Sequence, residues 1–365
     1  MCQCGLRAGA FFAAGLLIGY ALRSRKHALK RQLMANGVPV VNDAESWAAR
    51  SSPSKGMIAF YSSIADAVTT SPELMNIAID DHAIVRGHAV FDTASLCNGR
   101  LYRLTAHLDR LMRSAHAAKL PLPFGEDAAD NVRRMTEVIR ATCAAGGQRD
   151  AVVRYWLTAG PGNLGLTPTG CTPAFYVLVF GGMPFSEEWA THGISEATVP
   201  EQLVPFKPVL LAELKSNNYM LNAMTAMAAV ERGGVFGIQV DSAGFLRESC
   251  ALNVAIVTHD GVMRTPPFKG ILAGTTLRRA MELSPPLLSE GILSAIKQEE
   301  VSLADALAAA EMILFAGDTH IFPVTKLDDK AIGDGMIGPV ARAFEQRIQE
   351  DAADGKDCHH VVPGL

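Results

Sequence analysis

A short continuous apolar run, Met57-Ile-Ala-Phe-Tyr61, reads as a strand and follows the polar run Ser51-Ser-Pro-Ser-Lys-Gly56. Ala94-Ser-Leu-Cys97 and Leu101-Tyr-Arg-Leu104 flank Asn98-Gly99, a pair suited to the left-handed positions of a two-residue hairpin. Residues 107–119 change to helical spacing, with Leu108, Leu111 and Met112 on one face and Pro121 beyond the end. A second helix is predicted over 127–145, and apolar strands over 151–157 and 174–180. Gly181-Gly-Met-Pro184 then breaks the pattern, as a connection between domains does. Beyond it, Val209-Leu-Leu-Ala212 reads as a strand and 217–231 as a helix. Met220, Met224 and Met227 fall on one face of that helix, and Gly233-Gly234 stops it. Further helices are predicted near 277–282 and 303–309. Ser302 caps the second, with Asp305 at its third helical position.

This pattern predicts a mixed α+β / α/β chain of two domains, a small N-terminal α/β domain over 56–181 and a larger C-terminal one over 185–350. A leader and linker occupy 1–55, and 351–365 reads as a disordered tail. The chain has 365 residues, 49% of them apolar, enough to bury two cores. Its 33 basic and 37 acidic residues nearly balance, which argues against a nucleic-acid partner. Cysteines at 2, 4, 97, 143, 171, 250 and 358 form no Cys-x-x-Cys pair. They read as reduced thiols, and no metal site is expected.

The N-terminus has a composition of its own. No acidic residue precedes Asp43, six Lys/Arg occur by Arg31, and residues 8–22 are uncharged. A basic, acid-free, alanine-rich leader reads as an organelle transit peptide, for a chloroplast before a mitochondrion. The alternatives are a cytoplasmic protein with a disordered tail, or one tethered to a membrane by an anchor over 8–22. That segment is short of the roughly 20 residues of a bilayer span.

Lys215 carries the most chemistry. It lies in Ala212-Glu-Leu-Lys215-Ser-Asn-Asn-Tyr219, where the predicted strand meets the predicted helix. The positive end of a helix dipole favours the neutral amine, the form that attacks a carbonyl to make a Schiff base. A lysine beside a helix is more often a solvated surface charge, so its context has to decide. Gly244-Phe-Leu-Arg-Glu248-Ser-Cys-Ala-Leu-Asn253 follows, then Ile271-Leu-Ala-Gly274-Thr275-Thr276-Leu-Arg278. Upstream stand Asp81-His-Ala-Ile-Val-Arg86-Gly87, Phe91-Asp92-Thr93, Asn98-Gly99-Arg100 and His107-Leu-Asp-Arg110-Leu.

In this order and spacing, over residues 58–343, these motifs resemble the class IV aminotransferases. Those are the fold-type IV enzymes of pyridoxal 5'-phosphate (PLP), among them branched-chain and D-amino acid transaminases and aminodeoxychorismate lyase. Within the family the similarity is greatest to plant chloroplast D-amino acid transaminases. It runs through Tyr61-Ser-Ser, Asp80-Asp81-His82, Arg86-Gly87-His88, Phe91-Asp92-Thr93 and Arg154-Tyr155-Trp156-Leu-Thr-Ala159-Gly-Pro-Gly162.

The resemblance implies a two-domain fold with Lys215 as the catalytic lysine that holds PLP and moves the proton. It implies Glu248 at the pyridine nitrogen and Tyr219 at the phenolic oxygen. Arg110, Thr275, Thr276 and the backbone of Gly317 would take the phosphate. It leaves the substrate contacts to Phe91, Thr93, Asn163 and Leu164. In bacterial D-amino acid enzymes an Arg-x-His trap holds the substrate carboxylate in a loop. Here that loop is Ala159-Gly-Pro-Gly-Asn-Leu164-Gly-Leu166, which leaves the carboxylate to Asn163, to loop N–H groups or to a residue outside these motifs. The expected reaction is transfer of an amino group from a D-amino acid to a 2-oxo acid, by a homodimer. Aminodeoxychorismate lyase, branched-chain transaminase and a weakly catalytic PLP-binding protein are the other readings of the same residues.

Overall fold

The computed structural model describes residues 38, 40–50, 55–182, 185–317, 319–354 and 359–365. The leader and anchor readings of residues 8–22 lie outside the described residues. Among the described residues no helix is long and apolar enough to cross a membrane. The chain forms two compact units, Met1–Pro53 and Ser54–Leu365. In the first, inside the expected linker, Ala44–Ala48 is a short helix whose first turn is capped by Asp43 accepting the Ser46 N–H at 2.8 Å.

The second unit is built on two seven-stranded sheets and a small three-stranded one. The first sheet runs in the order His359–Val361, Arg100–Tyr102, Ala89–Cys97, Ala151–Thr158, Ala174–Phe180, Met57–Ser62, Ala67–Thr69, and every pairing is antiparallel. The helices Leu104–Ala117 and Ala128–Gly146 pack on one face of it and close a core around Leu96, Leu108, Leu111, Met135 and Ile139. Asp127 caps the longer helix through the Asp130 N–H, and Gly147, at φ 67°, ends it in the left-handed conformation that costs a glycine least.

The second large sheet is buried on both faces at its centre. Val254 and Ile256 of strand Asn253–Val257, with Met312 and Leu314 of Glu311–Phe315, face one core. Ala255, Val257, Ile313 and Phe315 face another, closed by Phe344 and Ile348 of the helix Pro339–Asp354. Period-two alternation with apolar residues at every position is what two covered faces require.

Three expectations are corrected. Residues 209–212 are not a strand but part of a helix, Val209–Glu213. A four-residue apolar run does not distinguish the two, and Pro208 at φ −51°, with no N–H to donate, begins the turn. The next helix begins at Met220, not at Asn217. Residues before it are taken by backbone pairing to Ala89–Cys97, through a bridge between Ser216 and Val90. The tail is ordered wherever it is described. Residues 351–354 complete the helix Pro339–Asp354, where Asp351 accepts from Arg279 and Tyr102, and His359–Val361 adds an edge strand against Arg100–Tyr102.

Because Ser54–Leu365 holds all three sheets, a chain beginning at Ser54 is expected to fold and keep full turnover. Thermal unfolding and a rate assay beside the full chain check this. A large loss of either would show that the first unit supports the second.

Candidate active site

The strand Ala89–Cys97 sends alternate side chains to opposite faces. Val90, Ala94 and Leu96 join the first core, and Asp92 lies on the same face, fully buried. The helix Leu104–Ala117 brings it His107 and Arg110, three residues apart on one side of that helix. Arg110 donates through Nε to Asp92 Oδ2 at 2.8 Å and through Nη2 to Oδ1 at 2.7 Å; His107 Nδ1 lies 2.9 Å from Oδ1. Burial alone would raise the Asp92 carboxyl, but the charge of Arg110 and the contact from His107 hold it well below the usual range. Burial lowers the pKa of His107, and toward the ionised Asp92 it is Nδ1–H that donates. On the other face Phe91 and Thr93 stand opposite Trp156 and Arg154 of the paired strand. Arg154 donates to Thr93 Oγ1 at 3.1 Å, and its guanidinium lies 5.6 Å from the centre of the Phe91 ring.

Lys215 is fixed to this strand by its backbone. Its carbonyl accepts the Phe91 N–H at 2.8 Å, and the Asn217 N–H donates to Ala89 O at 2.9 Å. The side chain is buried, with Nζ 3.4 Å from the Tyr219 hydroxyl and 4.9 Å from the centre of the Phe91 ring. Tyr219 packs edge-on against Phe91 at 5.1 Å. Burial, then the positive charge of Arg110, lower the Lys215 amine to about 8. The shift toward the neutral amine expected from a helix dipole therefore comes from desolvation, because the helix starts only at Met220.

Glu248, on the strand Leu246–Ser249, is buried, and its Oε2 accepts the Leu272 N–H at 3.1 Å. Burial pushes its carboxyl up to about 7, against the opposing charge of Lys207. Asn253 Nδ2 donates to Leu272 O at 2.8 Å, so Leu272 is held from both sides. That anchors the segment leading to Gly274, the N-cap of the helix Thr275–Glu282. A Cβ at Gly274 would run into the side chain of Asn253, which only glycine avoids.

Arg110, Lys215, Tyr219, Glu248, Gly274, Thr276 and Gly317 line one cleft of about 440 Å³, counting its open mouth, with Lys207, Asn222 and Asn253. The donors of this cleft fit PLP. The helix N-terminus and Arg110, whose Nη1 lies 3.5 Å from Ala273 O, offer positive charge to a phosphate. Thr275 does not itself line the cleft, but its buried hydroxyl, beside Thr276, has no partner among the described residues. Lys215 could bond to the cofactor and Glu248 could meet its ring nitrogen.

The substrate residues are less well gathered. Phe91 stands at the lysine and Thr93 two residues along the same face, but Asn163 and Leu164 stay in an exposed loop. Asn163 is engaged within that loop, by Thr169 O at 2.6 Å and the Gly165 N–H at 2.6 Å, and Arg86 binds the carbonyls of Leu164 and Gly165. Within one chain neither lines the cleft; the loop is held instead by its own bonds and by Arg86 and Asp80. Sequence reading assigned no role to Asp92, Arg154, Lys207, Asn222 or Asn253. The three-residue spacing of His107 and Arg110 was the available signal of a shared partner.

The family model for amino-transferase class IV matches residues 89–327. The chain is 38% identical to the chloroplastic D-amino-acid transaminase of Arabidopsis thaliana, over 84% of this chain and 79% of that one. It is 28% identical to a putative branched-chain-amino-acid aminotransferase of Methanocaldococcus jannaschii, over 75% and 90%. The fold is shared with the branched-chain amino acid aminotransferase of Escherichia coli (TM-score 0.72, 20% identity, 84% and 99% covered). A PLP-bound hypothetical aminotransferase of Mycobacterium tuberculosis shares it too (TM-score 0.65, 24% identity, 81% and 99% covered). The chain therefore belongs to the class IV aminotransferases, enzymes that work with pyridoxal 5'-phosphate.

Proposed function

We propose that this aminotransferase moves the amino group of a D-amino acid to a 2-oxo acid. The observation that carries the reading is the 38% identity to a D-amino-acid transaminase, against 28% to the branched-chain relative. Branched-chain activity is the second reading, favoured by that relative. PLP, when bound, supplies the electron sink for a substrate carbanion. Lys215 attaches it and carries the proton at Nζ; Glu248 holds its ring nitrogen and Tyr219 its phenolic oxygen. Arg110, Thr275, Thr276 and the Gly317 N–H hold the phosphate. Phe91 and Thr93 present the face on which substrate lies, and Arg154 adds a positive charge there for a carboxylate. The test is a substrate panel of D-alanine, L-leucine and aminodeoxychorismate, following keto acid and 4-aminobenzoate. D-Alanine should be turned over fastest. Faster turnover of L-leucine, or release of 4-aminobenzoate, would replace this reading by the branched-chain or the lyase one.

The low-lying Lys215 amine has a kinetic consequence. Burial disfavours its ammonium, so the reactive amine is half formed near pH 8 and nearly complete a unit above it. Recombination of cofactor-free protein with PLP should quicken about tenfold per pH unit below that point and level off above it. An exposed lysine would keep gaining until about pH 10.4. Stopped-flow absorbance across this range separates the two curves.

The same reading includes a homodimer. Leu164 and Leu166 are 64% and 85% exposed, and Met220 and Met227 project from their helix at 77% and 63%. Apolar faces of this kind support covering by a second copy, which would bring the Asn163 loop toward the neighbouring cleft. Sedimentation at micromolar protein should give twice the chain mass; a fully active monomer would remove this part. The leader, on this reading, directs the chain to an organelle, a chloroplast as for the Arabidopsis relative. A fluorescent fusion to residues 1–55 tests that address against a cytoplasmic or membrane-bound one.

A further inference from the structure

Lys207 lines the cleft that holds Lys215, on the loop just before the helix Val209–Glu213. Its Nζ stands 5.2 Å from the centre of the Tyr219 ring. Tyr219 is thus held by three neighbours: Lys207 at its ring, Phe91 edge-on at 5.1 Å, and Lys215 Nζ 3.4 Å from its hydroxyl. Glu248 lines the same cleft, its carboxylate bound by the Leu272 N–H.

We propose that Lys207 is a positioning residue of the active site, whose positive charge keeps Tyr219 oriented and Glu248 ionised for the cofactor between them. The proposal rests on PLP occupying this cleft. Burial drives the Tyr219 phenol to about 12 and the Glu248 carboxyl to about 7, and Lys207 is the foremost charge opposing each. Lys215 and Arg247 also act on Glu248; Glu248, Arg110 and Asp92 act on Tyr219. These are committed elsewhere: Lys215 to the cofactor carbonyl, Arg110 to Asp92 and Arg247 to the Lys269 carbonyl at 3.2 Å. Lys207 is the nearer cation on the Tyr219 ring, at 5.2 Å against 5.9 Å for Lys215 Nζ, and it lines the same cleft as Glu248. The competing reading is packing alone, a lysine stem lying along an aromatic ring, and that would not depend on charge.

The experiment compares holoenzyme of the wild type, Lys207→Met and Lys207→Arg. The visible band of the bound cofactor is titrated with pH, and the pH profile of turnover is taken with any donor the wild type accepts. Lys207→Met should retain cofactor while the acid limb of both curves moves up by about 0.5–1 pH unit, the scale of one screened charge. Lys207→Arg should follow the wild type. Superposed curves for all three, or equal shifts for both variants, would overturn the proposal. Failure of the underlying site reading looks different: the wild type itself would hold no cofactor, and this inference would fall with it.

Discussion

Replacing Lys215 by methionine should abolish turnover while making the cofactor-free protein more stable. Methionine keeps most of the side-chain volume and removes the amine. The general acid–base contribution alone is worth about 10²–10⁴ in rate, and loss of covalent attachment adds to it. Borohydride should fix the cofactor to the wild-type peptide that contains Lys215 and leave the variant unlabelled. Lys207 lines the same cleft, so a label there would move the catalytic assignment. The stability gain follows from burial. The amine sits near 8 in the folded protein and about 10.4 when unfolded, so folding at neutral pH must bury or discharge an ammonium. That cost is present below the folded value and disappears as pH rises toward the unfolded one. Methionine removes it, by up to about 3 kcal/mol at neutral pH. Thermal unfolding of both cofactor-free proteins, at neutral pH and again near pH 10, should show the gain shrinking in alkali. A variant less stable than the wild type at both would mean that Lys215 supports the fold.

That result would separate two parts of the reasoning that sequence alone could not. The position of Lys215 was legible because Glu248, Thr275 and Thr276 follow it in a fixed order. The cause of its neutrality was not. A dipole argument needs the helix to begin beside the lysine, but Ser216 pairs with Val90 and the helix waits until Met220. Elements with a local cause were readable. Asn98-Gly99 turns its hairpin between Ala89–Cys97 and Arg100–Tyr102, and Ser302 with Asp305 forms the capping box at Leu303–Leu307. Elements with a distant cause were not. The helix Val209–Glu213 and a strand spell the same apolar run, and His359–Val361 is a strand only because the Arg100–Tyr102 edge accepts it. Asp92 and Arg110 are eighteen residues apart on different elements, and nothing in their spacing shows that they meet.

That pair decides the second large effect. Arg110→Ala would be expected from a phosphate clamp to weaken cofactor retention and little else. The geometry predicts more, because Arg110 is also the counter-ion of a fully buried carboxylate. Removing it leaves the Asp92 charge without its counter-ion, bonded only by His107 and the Thr93 N–H, and breaking a buried pair in this way costs about 3–5 kcal/mol. In a chain of this size that is a fall of roughly 4–8 °C in Tm for the cofactor-free protein. The pH dependence should change sign with it. In the wild type the Asp92 carboxyl is held low, so its contribution is present above the unfolded value near 3.9 and lost only as pH falls toward the folded one. In the variant burial is opposed only by His107, so the carboxyl rises and acidification relieves the penalty. The stability gap between variant and wild type should therefore narrow from neutral pH to pH 5. Adding Asp92→Asn should restore most of the Tm, because the stranded charge is gone, without restoring cofactor affinity, because the guanidinium is still missing. If Arg110→Ala melts with the wild type at neutral pH, Asp92 is not the buried anion this geometry makes it. If the double variant regains cofactor as well, Arg110 does not hold the phosphate.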